Sequence, residues 1–316
     1  MQVAAGINVD INKVKNLNIN PLQITRQALI NNCSKNPAVV AEHNKVLKIG
    51  PARSMLNAHS FANSLPLLNS AQLMDKILLS LEKQQPLSVI SLGATEAFVM
   101  AQYTIYSEEE FMNHPEAKVA NQGKQSGFLH RGIRFPNVKA RDEAVEAVRN
   151  ADLVGCNTLV EPAWALTAKV LQTYNLQPQY MFEANLRRVL MFSQKEKFAA
   201  MMAGRKILLI GSQAPLAKKV LEAESKNKLG FDIVGAISIF EYEEINRVKH
   251  EIEQYQFDLC LLAAGTNALI LAPYIAASCG KVAFDIGWGI QSLITGEIVM
   301  DQWLTYIIGI DRIMHM

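Results

Sequence analysis

The chain has 316 residues, half of them hydrophobic and 19% charged, with a formal net charge of +2. That apolar content excludes a disordered chain and suffices for one large α/β domain or two average ones. The near-balanced charge excludes a dedicated nucleic-acid binder, which carries its basic surplus in patches.

The first 20 residues show no clear period. Pro21 to Asn32 reads as a helix with proline in its first turn, and Pro37 to Leu47 and Ser54 to Leu65 read as helices as well. Residues 1–68 are therefore expected to form a helical N-terminal extension, through which the chain could form a homo-oligomer. From Ser70 to Gln84 the pattern is clear: Leu73, Ile77, Leu78 and Leu81 fall on one helix face, Ser70 can cap it, and Pro86 ends it. Leu87 to Leu92 then reads as a strand running into Gly93, with a helix from Ala94 to Gln102.

Asn121 to Pro136, with three glycines, reads as a polar loop flanked by His114 and His130, which are expected to be exposed. Helices follow at Lys139 to Asn150 and Pro162 to Tyr174, and strands at Asp152 to Gly155 and Tyr180 to Phe182. The final third alternates strands (Lys206 to Ile210, Ile233 to Ile239, Leu259 to Ala263, Val282 to Phe284) with helices (Leu216 to Glu224, Glu241 to Gln254, Ala268 to Ser278). Short apolar strands alternating with helices predict an α/β fold on a doubly wound, mostly parallel, Rossmann-like sheet. Its domain would span 69–303, with 304–316 as a C-terminal tail.

Cys33, Cys156, Cys260 and Cys279 contain no C-x-x-C pair, so neither a zinc site nor a redox pair is suggested. No apolar run reaches the roughly 20 residues of a membrane span. No basic segment followed by an apolar run opens the sequence, and a cytoplasmic location is expected.

Ligands of such sheets bind outside the C-terminal ends of the strands. Four loops there carry glycine before a helix: Gly93-Ala94-Thr95-Glu96, Gly211-Ser212-Gln213, Ala264-Gly265-Thr266-Asn267 and Asp285-Ile286-Gly287-Trp288-Gly289. Glycine allows close backbone approach, and a helix start offers free N–H groups to a diphosphate. Any one of these glycines can be purely structural; the four together favour a site on that edge. The chain lacks G-x-G-x-x-G, a Walker A loop and G-x-S-x-G, which disfavours dinucleotide-dependent dehydrogenases, P-loop enzymes and α/β-hydrolases.

The segments Ser88-Val89-Ile90-Ser91-Leu92-Gly93-Ala94-Thr95-Glu96-Ala97, Asn150-Ala151-Asp152-Leu153-Val154-Gly155 and Gly280-Lys281-Val282-Ala283-Phe284-Asp285-Ile286-Gly287 resemble the GT-D family of nucleotide-sugar-dependent glycosyltransferases, from about Gln84 to Trp303. The resemblance implies a nucleotide-sugar donor, usually UDP-linked, an acceptor hydroxyl, and a divalent metal, Mg²⁺ or Mn²⁺, at an Asp-x-Glu motif. Here Ala94 replaces the first acid, so Glu96 alone remains as the catalytic or metal-site carboxylate. The arginine often found two residues before the loop's first glycine is Ser91. Asp152 could supply a second catalytic acid and Asp285 further charge, although both could equally be strand-end caps. Gly93, Thr95, Gly211, Ser212, Gly265, Thr266, Asn267 and Asp285 would line the nucleotide site, with Arg187 or Arg188 assisting the phosphates unless they lie on an exposed helix. The rival reading is a catalytically degenerate nucleotide-sugar-binding or scaffold protein; a weaker one is a different nucleotide-dependent α/β enzyme.

Overall fold

The computed structural model describes residues 67–224, 229–300 and 302–316. The expected helices between Pro21 and Leu65, and the assembly role given to them, lie outside the described residues.

Among the described residues eight strands form one all-parallel sheet: β1 (Leu67–Leu68), β2 (Leu87–Leu92), β3 (Leu153–Cys156), β4 (Tyr180–Glu183), β5 (Lys206–Gly211), β6 (Asp232–Ile237), β7 (Leu259–Ala263) and β8 (Val282–Asp285). Their spatial order is β1-β4-β3-β2-β8-β7-β5-β6. β2 lies centrally, with Val89 opposite Leu153 on one side and Phe284 on the other. Because side chains alternate along a strand, the interior strands feed two separate cores. Ile90, Leu92, Val154, Leu208, Ile210 and Leu262 face one; Val89, Leu153, Leu209, Leu261 and Phe284 face the other. On the first face pack helices Ala94–Ala101, Val138–Asn150 and Thr266–Tyr274. Ser70–Glu82, Ala214–Glu224 and Gly289–Thr295 pack on the second.

Local chemistry accounts for most element starts. Helix Ser70–Glu82 is capped one residue earlier than expected. Asn69 is the N-cap, accepting from Gln72 N at 2.8 Å while Gln72 Oε1 accepts from Asn69 N at 3.0 Å, a complete capping box. Ser70 is instead the first helical residue, and its hydroxyl accepts from Gln194 Nε2 at 2.9 Å. Leu73, Met74 and Ile77 of this helix are fully buried. Truncating one of them to alanine would cost about 2–5 kcal/mol.

The stretch 304–316 forms parts of two short helices, Gln302–Ile308 and Ile310–Met314, and Leu304, Ile308 and Ile313 join the second core. Ser70 N donates to Met316 O at 2.9 Å, closing the chain onto the first described helix.

Within the expected polar loop Gly123–Leu129 is a 3₁₀ segment, and residues 130–136 have no regular structure. Ahead of it a Ser107–Glu110 capping box starts helix Glu108–Asn113, and helix Pro115–Asn121 follows. Phe111 stacks on Phe98 with ring centroids 4.3 Å apart, and Phe135 meets Phe111 edge-on at 4.9 Å. His114 stacks on Phe98 as well, its Nδ1 accepting from Glu116 N at 3.1 Å, and burial lowers its pKa. It is a packed N-cap rather than an exposed loop histidine. His130 is part-buried, its Nε2 3.1 Å from Glu241 Oε1.

Candidate functional site

β2 and β8 are neighbours, but the helices that follow them leave onto opposite faces of the sheet. Between such a pair the carboxyl ends of the strands open a crevice, the usual ligand position in a sheet of this kind. Here Glu96, Asp285 and Arg187 meet.

Asp285 closes β8 and is 3% exposed. Arg187 arrives from the short 3₁₀ segment Ala184–Arg188 that follows β4. Its Nη1 lies 2.7 Å from Asp285 Oδ2, and Gly287 N donates to Asp285 Oδ1 at 2.9 Å. Burial raises the Asp285 pKa, with Arg187 opposing it most strongly. The guanidinium lies over Gly287, whose φ is +45°; a Cβ there would stand 2.6 Å from Arg187 Cζ. A side chain at 287 would thus be both strained and in collision, so this glycine is a requirement of the arginine's position.

Glu96 lies in the first turn of helix Ala94–Ala101, whose N-cap Gly93 provides no side-chain hydrogen bond. The carboxyl is half-buried, and desolvation raises its pKa from 4.5 to about 6. The nearby Asp285 charge adds to the rise, while Arg187, a backbone N–H and Arg131 oppose it. A carboxyl tuned toward neutral pH beside a guanidinium can exchange a proton and sit next to a developing negative charge.

The other residues expected at the site are placed as follows. Thr95 Oγ1 donates to Glu116 Oε1 at 2.7 Å, and Glu116 is paired with Arg131, whose Nε lies 2.6 Å from the same oxygen. Thr266 Oγ1 donates to Arg131 O at 3.3 Å and Asn267 Nδ2 to Gly132 O at 3.0 Å. A Cβ on Gly265, whose φ is +56°, would stand 3.0 Å from Arg131 O. These three residues hold the middle segment against the end of β7, next to the crevice. Gly211 backs onto Ala263 O, and Ser212 is exposed at the end of β5. β5 is separated from β2 by β7 and β8, which places Ser212 roughly 14 Å across the sheet.

Asp152 does not join the cluster. It precedes β3, and its Oδ2 accepts from both Ser88 N and Ser88 Oγ at 2.7 Å at the start of β2. That is the opposite edge of a parallel sheet from Glu96, and there Asp152 takes the strand-end capping role, one of the two expected of it.

Sequence reasoning overlooked Glu183, the last residue of β4, which is fully buried with its carboxyl accepting four hydrogen bonds. Its signal was present: an acid ending an otherwise apolar strand.

Ala94 contributes no ligand, both Asp285 oxygens are engaged, and Glu96 faces Arg187. Among the described residues no group of three His, Cys, Asp or Glu side chains could hold a metal ion. The described side chains at the crevice do not fit a protein-held divalent cation. No helix of the described residues is long and apolar enough to cross a membrane.

A family model described as a GT-D fold-like domain matches residues 68–293. A solved structure of a highly conserved domain of unknown function 1792, reported to have a distinct glycosyltransferase fold, superposes with a TM-score of 0.51 at 13% identity, covering 76% of this chain and 83% of that one. A selenomethionine-substituted structure of the same domain type gives 0.51 at 11% identity, covering 77% and 87%. No curated protein sequence matches the chain.

Proposed function

Because the chain belongs to the GT-D-like family, we propose that it is a glycosyltransferase that moves a sugar from a UDP-linked donor to an acceptor hydroxyl at the β2–β8 crevice. The observation that carries this reading is the half-buried Glu96, with a pKa of about 6, beside the Arg187–Asp285 pair.

In the transfer, the acceptor oxygen bonds to the anomeric carbon, the bond from that carbon to the diphosphate breaks, and the acceptor's proton passes to Glu96. General-base help of this kind contributes about 10²–10⁴-fold. The leaving diphosphate gains negative charge, and a preorganised guanidinium placed beside it stabilises that charge most in the transition state. Arg187 fills this role, held in place by Asp285 and by the space over Gly287. Asp285 keeps the arginine in position rather than taking a proton from substrate. With one free carboxylate at the motif, any Mg²⁺ or Mn²⁺ would be held mostly through the donor's own phosphates. Metal dependence is therefore expected to be weak.

The test is release of free UDP from UDP-glucose, UDP-galactose and UDP-N-acetylglucosamine, with Mn²⁺ or with chelator. Slow release from at least one donor, nearly independent of chelator and lost in Glu96→Gln, is the expected result. Tight binding without turnover would favour the second reading, a nucleotide-sugar-binding scaffold, which the loss of the motif's first acid at Ala94 supports. Absence of both binding and turnover would sink the nucleotide-sugar reading.

A further inference from the structure

Gly93 has no side chain, and the space a Cβ would take there lies 2.6 Å from Glu96 Oε2 and 3.9 Å from Asn157 Nδ2. Asn157 follows directly on β3, and the register of Leu92 opposite Cys156 brings it beside Gly93. A carboxyl oxygen and an amide nitrogen thus flank the same bare glycine at the end of β2.

The amide's orientation is set from behind. Asn185 Nδ2 donates to Asn157 Oδ1 at 3.5 Å. Asn185 is itself fixed by Glu183, whose Oε1 accepts from Asn185 Nδ2 at 2.7 Å and from Asn185 N at 3.0 Å. Glu183 cannot turn away, because its other oxygen accepts from Thr158 Oγ1 at 2.6 Å and Leu159 N at 3.1 Å. With its oxygen committed to Asn185, Asn157 presents N–H to the crevice.

The pair discriminates by chemistry. A phosphate or carbonyl oxygen only accepts, and an ionised Glu96 repels it. An ammonium group only donates and leaves the amide unmet. A hydroxyl satisfies both, donating to Glu96 and accepting from Asn157. We propose that Asn157 holds the attacking hydroxyl, its N–H on the oxygen while Glu96 takes the proton, and that Glu183 and Asn185 are positioning residues for this amide. In donor hydrolysis, water occupies the same place. This inference rests on the glycosyltransferase reading above and adds to it a specific partner for the nucleophile.

The experiment measures UDP release and calorimetric donor affinity for wild type, Asn157→Ala, Asn157→Asp, Glu96→Gln and the Asn157→Ala/Glu96→Gln double variant. The donor is whichever of UDP-glucose, UDP-galactose and UDP-N-acetylglucosamine wild type turns over fastest, and thermal melting confirms that each variant is folded. Both Asn157 variants should lower kcat by roughly 10-fold, about the worth of one hydrogen bond. Donor Kd should stay within about twofold, and Asn157→Ala should add little to Glu96→Gln, because groups acting on one atom are non-additive. Weakened donor binding at unchanged kcat would show that the amide reads the donor, and unchanged kcat and Kd that it faces no substrate; either overturns the proposal while leaving the glycosyltransferase reading standing. A wild type that binds no donor, or binds without turnover, removes the transferase reading and the proposal with it.

Discussion

Glu96→Gln is expected to make the protein more stable and inactive together, and the pH dependence of the gain identifies its cause. The folded chain holds the Glu96 proton with a pKa of about 6, against 4.5 for an ordinary glutamate. The fold therefore disfavours the charged form. Below pH 4.5 both the folded and unfolded chains carry the neutral acid, and the group costs nothing. As pH rises through about 6 the unfolded chain has already ionised while the folded chain resists, and the cost becomes complete. At about 1.4 kcal/mol for each tenfold change in proton affinity, the full cost is about 2 kcal/mol. Glutamine, which keeps the shape without the charge, should recover that amount at pH 8 and almost none at pH 4. For a domain of this size the gain corresponds to a melting temperature higher by roughly 4–8 °C. Urea denaturation at several pH values between 4 and 8 reads the difference directly, and UDP release read in parallel should fall by about 10²–10⁴-fold. Such a trade between stability and activity is common where a desolvated group is kept for chemistry. A variant that gains nothing at pH 8, or is destabilised there, would mean that Arg187 and Arg131 outweigh desolvation, and that Glu96 is an ordinary paired carboxylate.

Arg187→Gln removes the cation from a buried Asp285 and should cost about 3–5 kcal/mol in urea denaturation, with a large loss of UDP affinity by calorimetry. Arg187→Lys, which keeps charge but not the planar fork, should fall between the two. Gly287→Ala drives a Cβ into the guanidinium at positive φ; it should destabilise by about 1–3 kcal/mol and lower UDP release without touching a reacting group. Asp152→Ala should cost about 1–3 kcal/mol by leaving the Ser88 N–H and hydroxyl without their acceptor, yet leave UDP release per folded molecule unchanged. A loss of turnover there would return Asp152 to the active site.

Much of the fold was legible because a buried parallel strand leaves a continuous apolar run. Leu87–Leu92 and Leu259–Ala263 match their expected bounds for that reason. What failed was governed by side chains far apart in sequence. The helices Glu108–Asn113 and Pro115–Asn121 are too short to show a period, and Phe111, with Phe135 beyond them, reveals its burial only by packing on Phe98. The closing residues are rich in apolar side chains, but Gly309 divides them into two stretches too short to show a helical period, and their burial depends on the helix that begins at Ser70.

The site was legible to the extent that strand direction is. In a parallel sheet a residue that follows a strand lies on the ligand edge, and one that precedes a strand lies on the other. Glu96, Asp285 and Glu183 follow or end strands, whereas Asp152 precedes one, so its exclusion was already implied by chain order. Thr266 and Asn267 follow β7 on that edge as well; that their side chains hold Arg131 and Gly132 left no sign, since those partners lie 135 residues away. Arg187 is the most telling case. Ser91 stands where the resemblance places an arginine, and it faces Asp285. An arginine at 91 would have brought its charge to that carboxylate from β2; in this chain Arg187 brings the same charge to it from the end of β4. On the proposed reading, the two departures from the family pattern, at Ser91 and Ala94, would act together: the cation meeting the diphosphate would be a side chain anchored at Asp285, and the carboxylate left at the motif would serve as the base.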